Sequence, residues 1–127
     1  MRSDALGPAW LRSTLYLRMS WVTDVILCLS VEERFQDHSD FSESCESLDK
    51  INAWLGEHEQ GKLDELSEHV VSGGKAMQAF VYGGAFNFLD VEDFIKVVLS
   101  QEWKMPQAVQ LLVKKEEDEA FTMHTIS

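Results

Sequence analysis

From Trp21 to Val31 the chain (WVTDVILCLSV) starts in alternation and then becomes continuously apolar and rich in β-branched residues, the pattern of a strand inside a sheet. Trp21, Val25, Leu27, Leu29 and Val31 share one face of that strand. Val22, Asp24, Ile26, Cys28 and Ser30 share the other, more mixed face, so one side should pack on helices and the other stay partly open. Further on, Leu48, Ile51, Trp54 and Leu55 fall on one stripe of an amphipathic helix. Its expected cap is Ser42 or Ser44, at the end of the polar loop QDHSDFSES, with Glu43 and Glu46 in the first turn and Gly56 at its end.

Residues 62–71 (KLDELSEHVV) suit either a short helix or a hairpin arm, and the arm is preferred because Ser72-Gly73-Gly74 supplies turn positions. Ala76 to Tyr82 then reads as an apolar strand closed by Gly83-Gly84. A second helix is the clearest element. Asp90 caps it, Val91, Phe94, Ile95, Val98 and Leu99 form its stripe, Leu89 can staple onto Phe94, and Pro106 prevents continuation. Ala108 to Val113 and Ala120 to Ile126 read as two strands around the charged turn Lys114-Lys115-Glu116-Glu117-Asp118-Glu119. The order strand, helix, strand, strand, helix, strand, strand predicts an α+β fold, a ferredoxin-like βαββαβ two-layer sandwich with an extra C-terminal strand.

Length and charge narrow the picture. At 127 residues the chain has room for one core. Three of its four arginines (Arg2, Arg12, Arg18) lie in the first 18 residues against only Asp4, and Gly7-Pro8 breaks any long helix there. Residues 1–18 therefore read as a flexible leader, dispensable for folding, ahead of a single domain over 19–127, and the organelle-targeting flavour of their composition is weak. A net charge of -11 repels phosphate backbones and anionic membrane surfaces, so neither nucleic acid nor membrane is an expected partner, whereas a protein partner is. The longest apolar run, Val25 to Leu29, falls far short of a membrane span. Cys28 and Cys45 lack a metal or CxxC spacing and read as reduced structural thiols of a cytoplasmic protein.

Three segments carry a resemblance: Trp21-Val22-Thr23-Asp24-Val25, the stretch Val81-Tyr82-Gly83-Gly84-Ala85-Phe86-Asn87, and Pro106-Gln107-Ala108-Val109-Gln110-Leu111-Leu112 followed by an acidic turn and Phe121. Together they resemble a family of small uncharacterised bacterial proteins. The likeness covers residues 19–34 and 76–126 and implies a domain starting near Met19. It implies no catalytic residue.

Candidate chemistry is sparse. His38, His58, His69 and His124 show no metal-ligand spacing, His38 with Asp37 and Asp40 reads as a solvated acidic loop, and no metal or cofactor is expected. Ser72-Gly73-Gly74-Lys75 is neither a nucleophile elbow nor a phosphate-binding loop. Glycines after a strand permit close approach, so Gly83-Gly84-Ala85-Phe86-Asn87 is a candidate ligand contact, its rival being a turn in which Asn87 satisfies backbone amides. The acidic run 116–119 lacks the spacing of a calcium loop. Trp54, Trp103, Phe80, Phe86, Phe88 and Phe94 read as core. Two functions follow as expectations. One is a non-enzymatic binding or assembly module, pairing with itself or a protein partner through the open sheet face. The other is a small enzyme or ligand-binding protein with Asp24, Tyr82 and His124 in a polar cleft on that face; Asp24, Tyr82, Asn87 and His124 are the candidate site residues under both.

Overall fold

A computed structural model of the chain describes residues 21–36, 40–41, 45–70 and 72–126. The expected leader, Asp37, His38 and both serine caps lie outside these residues. Among the described residues seven strands and two α-helices follow in order: β1 (Val22–Ser30), β2 (Phe35–Gln36), β3 (Asp40–Phe41), α1 (Glu46–Glu57), β4 (Asp64–Glu65), β5 (Ala79–Asn87), α2 (Val91–Leu99), β6 (Gln110–Lys115) and β7 (Thr122–Thr125). Five strands form one antiparallel sheet in the order β4-β5-β1-β6-β7, while β2 and β3 pair separately. The protein is thus an α+β domain.

The two faces of β1 divide as the alternation predicts. Thr23, Val25, Leu27 and Leu29 are buried and the intervening residues are half-buried. In an antiparallel pair directly opposed residues share a face. Leu27 opposes Tyr82 and Leu111, and Val25 opposes Gly84 and Val113, so these side chains line one face with Phe86 and Phe80. Ile51, Leu55, Phe94 and Val98 complete the same core from α1 and α2. Trp54 and Phe86 lie with ring centroids 6.0 and 6.4 Å from that of Phe94. Both helices therefore cover one face of the sheet.

α2 begins as expected, with Asp90 Oδ1 accepting the Asp93 N–H at 3.2 Å, and it stops at Ser100, well before Pro106. The α1 cap is Cys45, whose Sγ accepts the Leu48 N–H at 3.4 Å, and Gly56 sits inside the helix.

Four further expectations change. The arm over 62–71 shrinks to the two residues of β4, followed by a 3-10 turn at Ser67–His69, because Ser67 Oγ rather than a backbone carbonyl takes the Val81 N–H at 3.1 Å. Gly83-Gly84 does not close β5, which runs on to Asn87. A Cβ on Gly84 would lie 2.8 Å from Phe86 Cζ and one on Gly83 2.8 Å from Leu66 Cδ1, so the pair admits two side chains laid across the strand. Phe88 is not core: its backbone turns at φ 56 and its ring is 56% exposed. The small β2–β3 sheet lies where a loop is expected, from Gln36 onward.

Candidate functional site

The sequence-predicted residues do not converge. Asp24 opposes Ala85 and Lys114 on the face that neither described helix covers. Tyr82 and His124 instead oppose Leu27 and Leu111 on the helix-covered face, so the expected cleft of all three on the open face does not form. Tyr82 and His124 are also apart from each other, since β1 and β6 intervene and three strand spacings amount to roughly 14 Å. His124 borders a groove of about 360 Å3 with Glu92, Lys115, Asp118 and Thr122. Asn87 ends β5, opposite Val22, and its carbonyl oxygen accepts from Gln60 Nε2 at 2.7 Å.

A polar cluster lies elsewhere, where the 3-10 turn Val31–Arg34 leaves β1. Glu33 is buried there, and its two carboxylate oxygens accept the Lys104 N–H at 3.1 Å and the Met105 N–H at 2.8 Å, tying this turn to the loop after α2. Arg34 points to the opposite side. Its Nη1 donates to Glu65 Oε1 at 2.8 Å and its guanidinium lies 4.2 Å from the Phe80 ring centroid, so two elements hold its plane. Ser67 Oγ donates to Glu65 Oε2 at 3.1 Å. A buried arginine held by a carboxylate and an aromatic face is a stable arrangement only as a complete set, because removal of either ionic partner leaves a charge without its counter-charge.

Tyr82 belongs to the same cluster. It is 3% exposed, and its hydroxyl is buried beside the Arg34 guanidinium. Burial pushes its phenol up to about 12, and the neighbouring Arg34 charge offsets only part of that rise. Tyr82 borders a groove of about 770 Å3 between α1 and β4, lined also by Leu48, Asp49, Asn52, Lys62, Leu66 and Glu68. A second groove, of about 270 Å3, opens on the far side of Glu65 and Glu68, against Arg34, Met77 and Phe80.

Sequence reasoning selected Tyr82 and passed over Arg34, Glu33, Glu65 and Ser67. One signal pointed to Arg34: it is the only arginine after residue 18 in a strongly acidic chain. Nothing marked Glu65 or Ser67 as its partners, because their pairing depends on how β4 meets β5. Neither thiol is primed for chemistry, since burial pushes both Cys28 and Cys45 up. Among the described residues no three His, Cys, Asp or Glu side chains gather as a metal site, and no helix is long and apolar enough to cross a membrane.

Fold and cluster define a small α+β domain in which both described helices cover one face of the sheet and neither covers the other. No family model, curated protein or solved structure matches the chain.

Proposed function

We propose that the protein is a non-enzymatic assembly module that pairs with a second copy of itself through the open face of its sheet. The observation that carries this reading is the composition of that face. Ile26, Cys28, Val81 and Leu112 form its half-buried centre, Met123 stands 55% exposed beside Leu112, and no described helix lies over them. An apolar sheet face left in water calls for a cover. Its charges also suit a copy of itself: Asp24 and Lys114 oppose each other in register, an acid beside a base in a chain of net charge -11, with a second acid, Asp64, at the β4 edge opposite Gly83. A two-fold axis through such a patch sets acid against base while the excess negative charge stays on the outer surfaces.

The finer fold reading belongs to the same proposal. Apart from β2, β3 and β7, the run β4-β5-β1-β6, with a helix between β1 and β4 and another between β5 and β6, is compatible with a ferredoxin-like sandwich. A cytoplasmic setting accords with the two free cysteines.

Light scattering of the full chain over a range of concentrations tests the pairing. The expected mass is that of two chains, falling to one, with the folded fraction intact, in Ile26→Lys and in Leu112→Glu. A one-chain mass for the unchanged protein at every concentration overturns the reading.

A further inference from the structure

We propose that residues 1–20 dock on the open face of their own chain's sheet and compete there with a second copy. The competition rests on the pairing proposed above; the docking itself does not.

The place where this segment joins the fold brings it to that face. It enters at Trp21, whose carbonyl oxygen accepts the Phe88 N–H at 2.9 Å, and runs directly into β1, the middle strand of five. Ile26 lies roughly 13 Å along β1 from Val22 at the rise of a strand, and the edge strands lie about 10 Å to either side. Twenty residues span about 30 Å even at the short rise of a helix, so the segment reaches the whole face.

The surface it meets is apolar from edge to edge. Leu66 lies across Gly83, which opposes Ile26, so apolar side chains run from the β4 side through Ile26 and Leu112 to Met123 on β7. Leu66 is 43% and Met123 55% exposed. The segment carries Trp10, Leu11, Leu15, Leu17 and Met19, side chains that gain by leaving water.

Charge selects this occupant over a free second copy in dilute protein. Arg2, Arg12 and Arg18 against Asp4 give the segment +2, which leaves -13 on the rest of a chain whose net charge is -11. Two such bodies repel each other, whereas the segment is drawn to its own. Asp24 stands on the open face near the end where the segment enters, with Lys114 opposite, and Asp64 stands at the β4 edge, so the face offers two carboxylates to Arg12 and Arg18. A tethered segment acts at an effective concentration on the order of millimolar. A second copy therefore displaces it only as protein concentration rises, and the segment sets the concentration at which pairs form.

The test follows Trp10 fluorescence in the full chain, as the difference between the parent and Trp10→Phe, at a concentration where light scattering gives the mass of one chain. A blue-shifted Trp10 emission is expected, moving to the red in Leu112→Glu and in the double variant Arg12→Gln, Arg18→Gln, with the far-ultraviolet circular dichroism unchanged. Trp10 emission already typical of an indole in water, or indifferent to both changes, overturns the docking. So does a response present only where the mass is that of two chains, because the segment then covers its partner. Pairs that persist at the lowest concentration that fluorescence reads overturn it as well, since a covered face does not pair so tightly. The double variant Leu15→Ser, Leu17→Ser keeps the charge and should lower the concentration of half-pairing about tenfold. Equal pairing in parent and variant overturns the competition. If neither chain pairs at any concentration while Trp10 still responds to Leu112→Glu, the pairing reading falls and the docking stands.

Discussion

Within β1, residues one position apart live in different environments. Leu27 is fully buried against Tyr82, Leu111 and the helices, whereas Ile26, its neighbour, faces Gly83 and Leu112 on a side no described helix covers. One face of the sheet is committed to holding the domain together. The other carries half-buried apolar side chains that no described helix covers. An apolar residue's type thus says little about its role here; the parity of its position decides it.

The largest expected effect separates these faces. Phe94 is completely buried between Trp54 and Phe86, so Phe94→Ala should cost roughly 3 to 5 kcal/mol, a large part of a small domain's stability. Ile26→Ala on the open face should cost about 1 kcal/mol or less in dilute protein, with a greater loss at concentrations where pairing occurs. Denaturant unfolding at two protein concentrations measures both. Equal costs at low concentration would show that the open face is as well packed as the covered one and would break the comparison.

What the chain disclosed in advance follows the same division. Alternation in β1 and the 3.6-residue stripe of α2 are each set by a single hydrophobic surface, and both are plain in the sequence because burial on one side dictates every second or every third and fourth residue. Capping at Asp90 was legible for the same local reason. The Arg34 cluster was not. Glu65 reaches Arg34 across 31 positions of sequence, and Tyr82 joins them only because β4 pairs with β5 at Glu65↔Tyr82. The placement of Tyr82 and His124 on the open face failed through register: each belongs to a strand whose parity relative to β1 is fixed by pairing, and a shift of one residue moves a side chain to the other face. Gly83-Gly84 resembled a turn because two glycines weaken a strand, but the space they leave is filled by Leu66 and Phe86, which keeps β5 intact.

A second, smaller effect sharpens the description of the covered face. Burial raises the Tyr82 phenol from 10.0 to about 12. The unfolded chain therefore releases this proton first, and between those values it holds fewer protons than the folded chain, so stability must fall as pH rises. The contribution is intact below pH 10.0 and is lost progressively toward about 12. Lysines also titrate in this range, and subtraction of the Tyr82→Phe curve isolates the phenol: the parent should lose stability more steeply than the variant across the window. Parallel curves would place the phenol in water and remove it from the covered face.

The smallest effect concerns Thr23, a buried residue whose hydroxyl oxygen has no hydrogen-bond partner. It is fully buried at the end of the β1 row that continues through Val25 and Leu27, and it opposes Phe86. An apolar row interrupted by one unbonded hydroxyl costs the domain the hydration of that group without a compensating bond. Thr23→Val keeps the branched shape and its strand preference while deleting the oxygen. It should leave stability unchanged or raise it by up to about 1 kcal/mol in denaturant unfolding, whereas Asp24→Asn, next along the strand and facing the open side, should leave folding alone and weaken pairing through its opposed Lys114. A marked loss of stability in Thr23→Val would mean that its hydroxyl bonds a group in the folded protein, and the covered face would then contain a polar contact that the alternation of β1 does not predict.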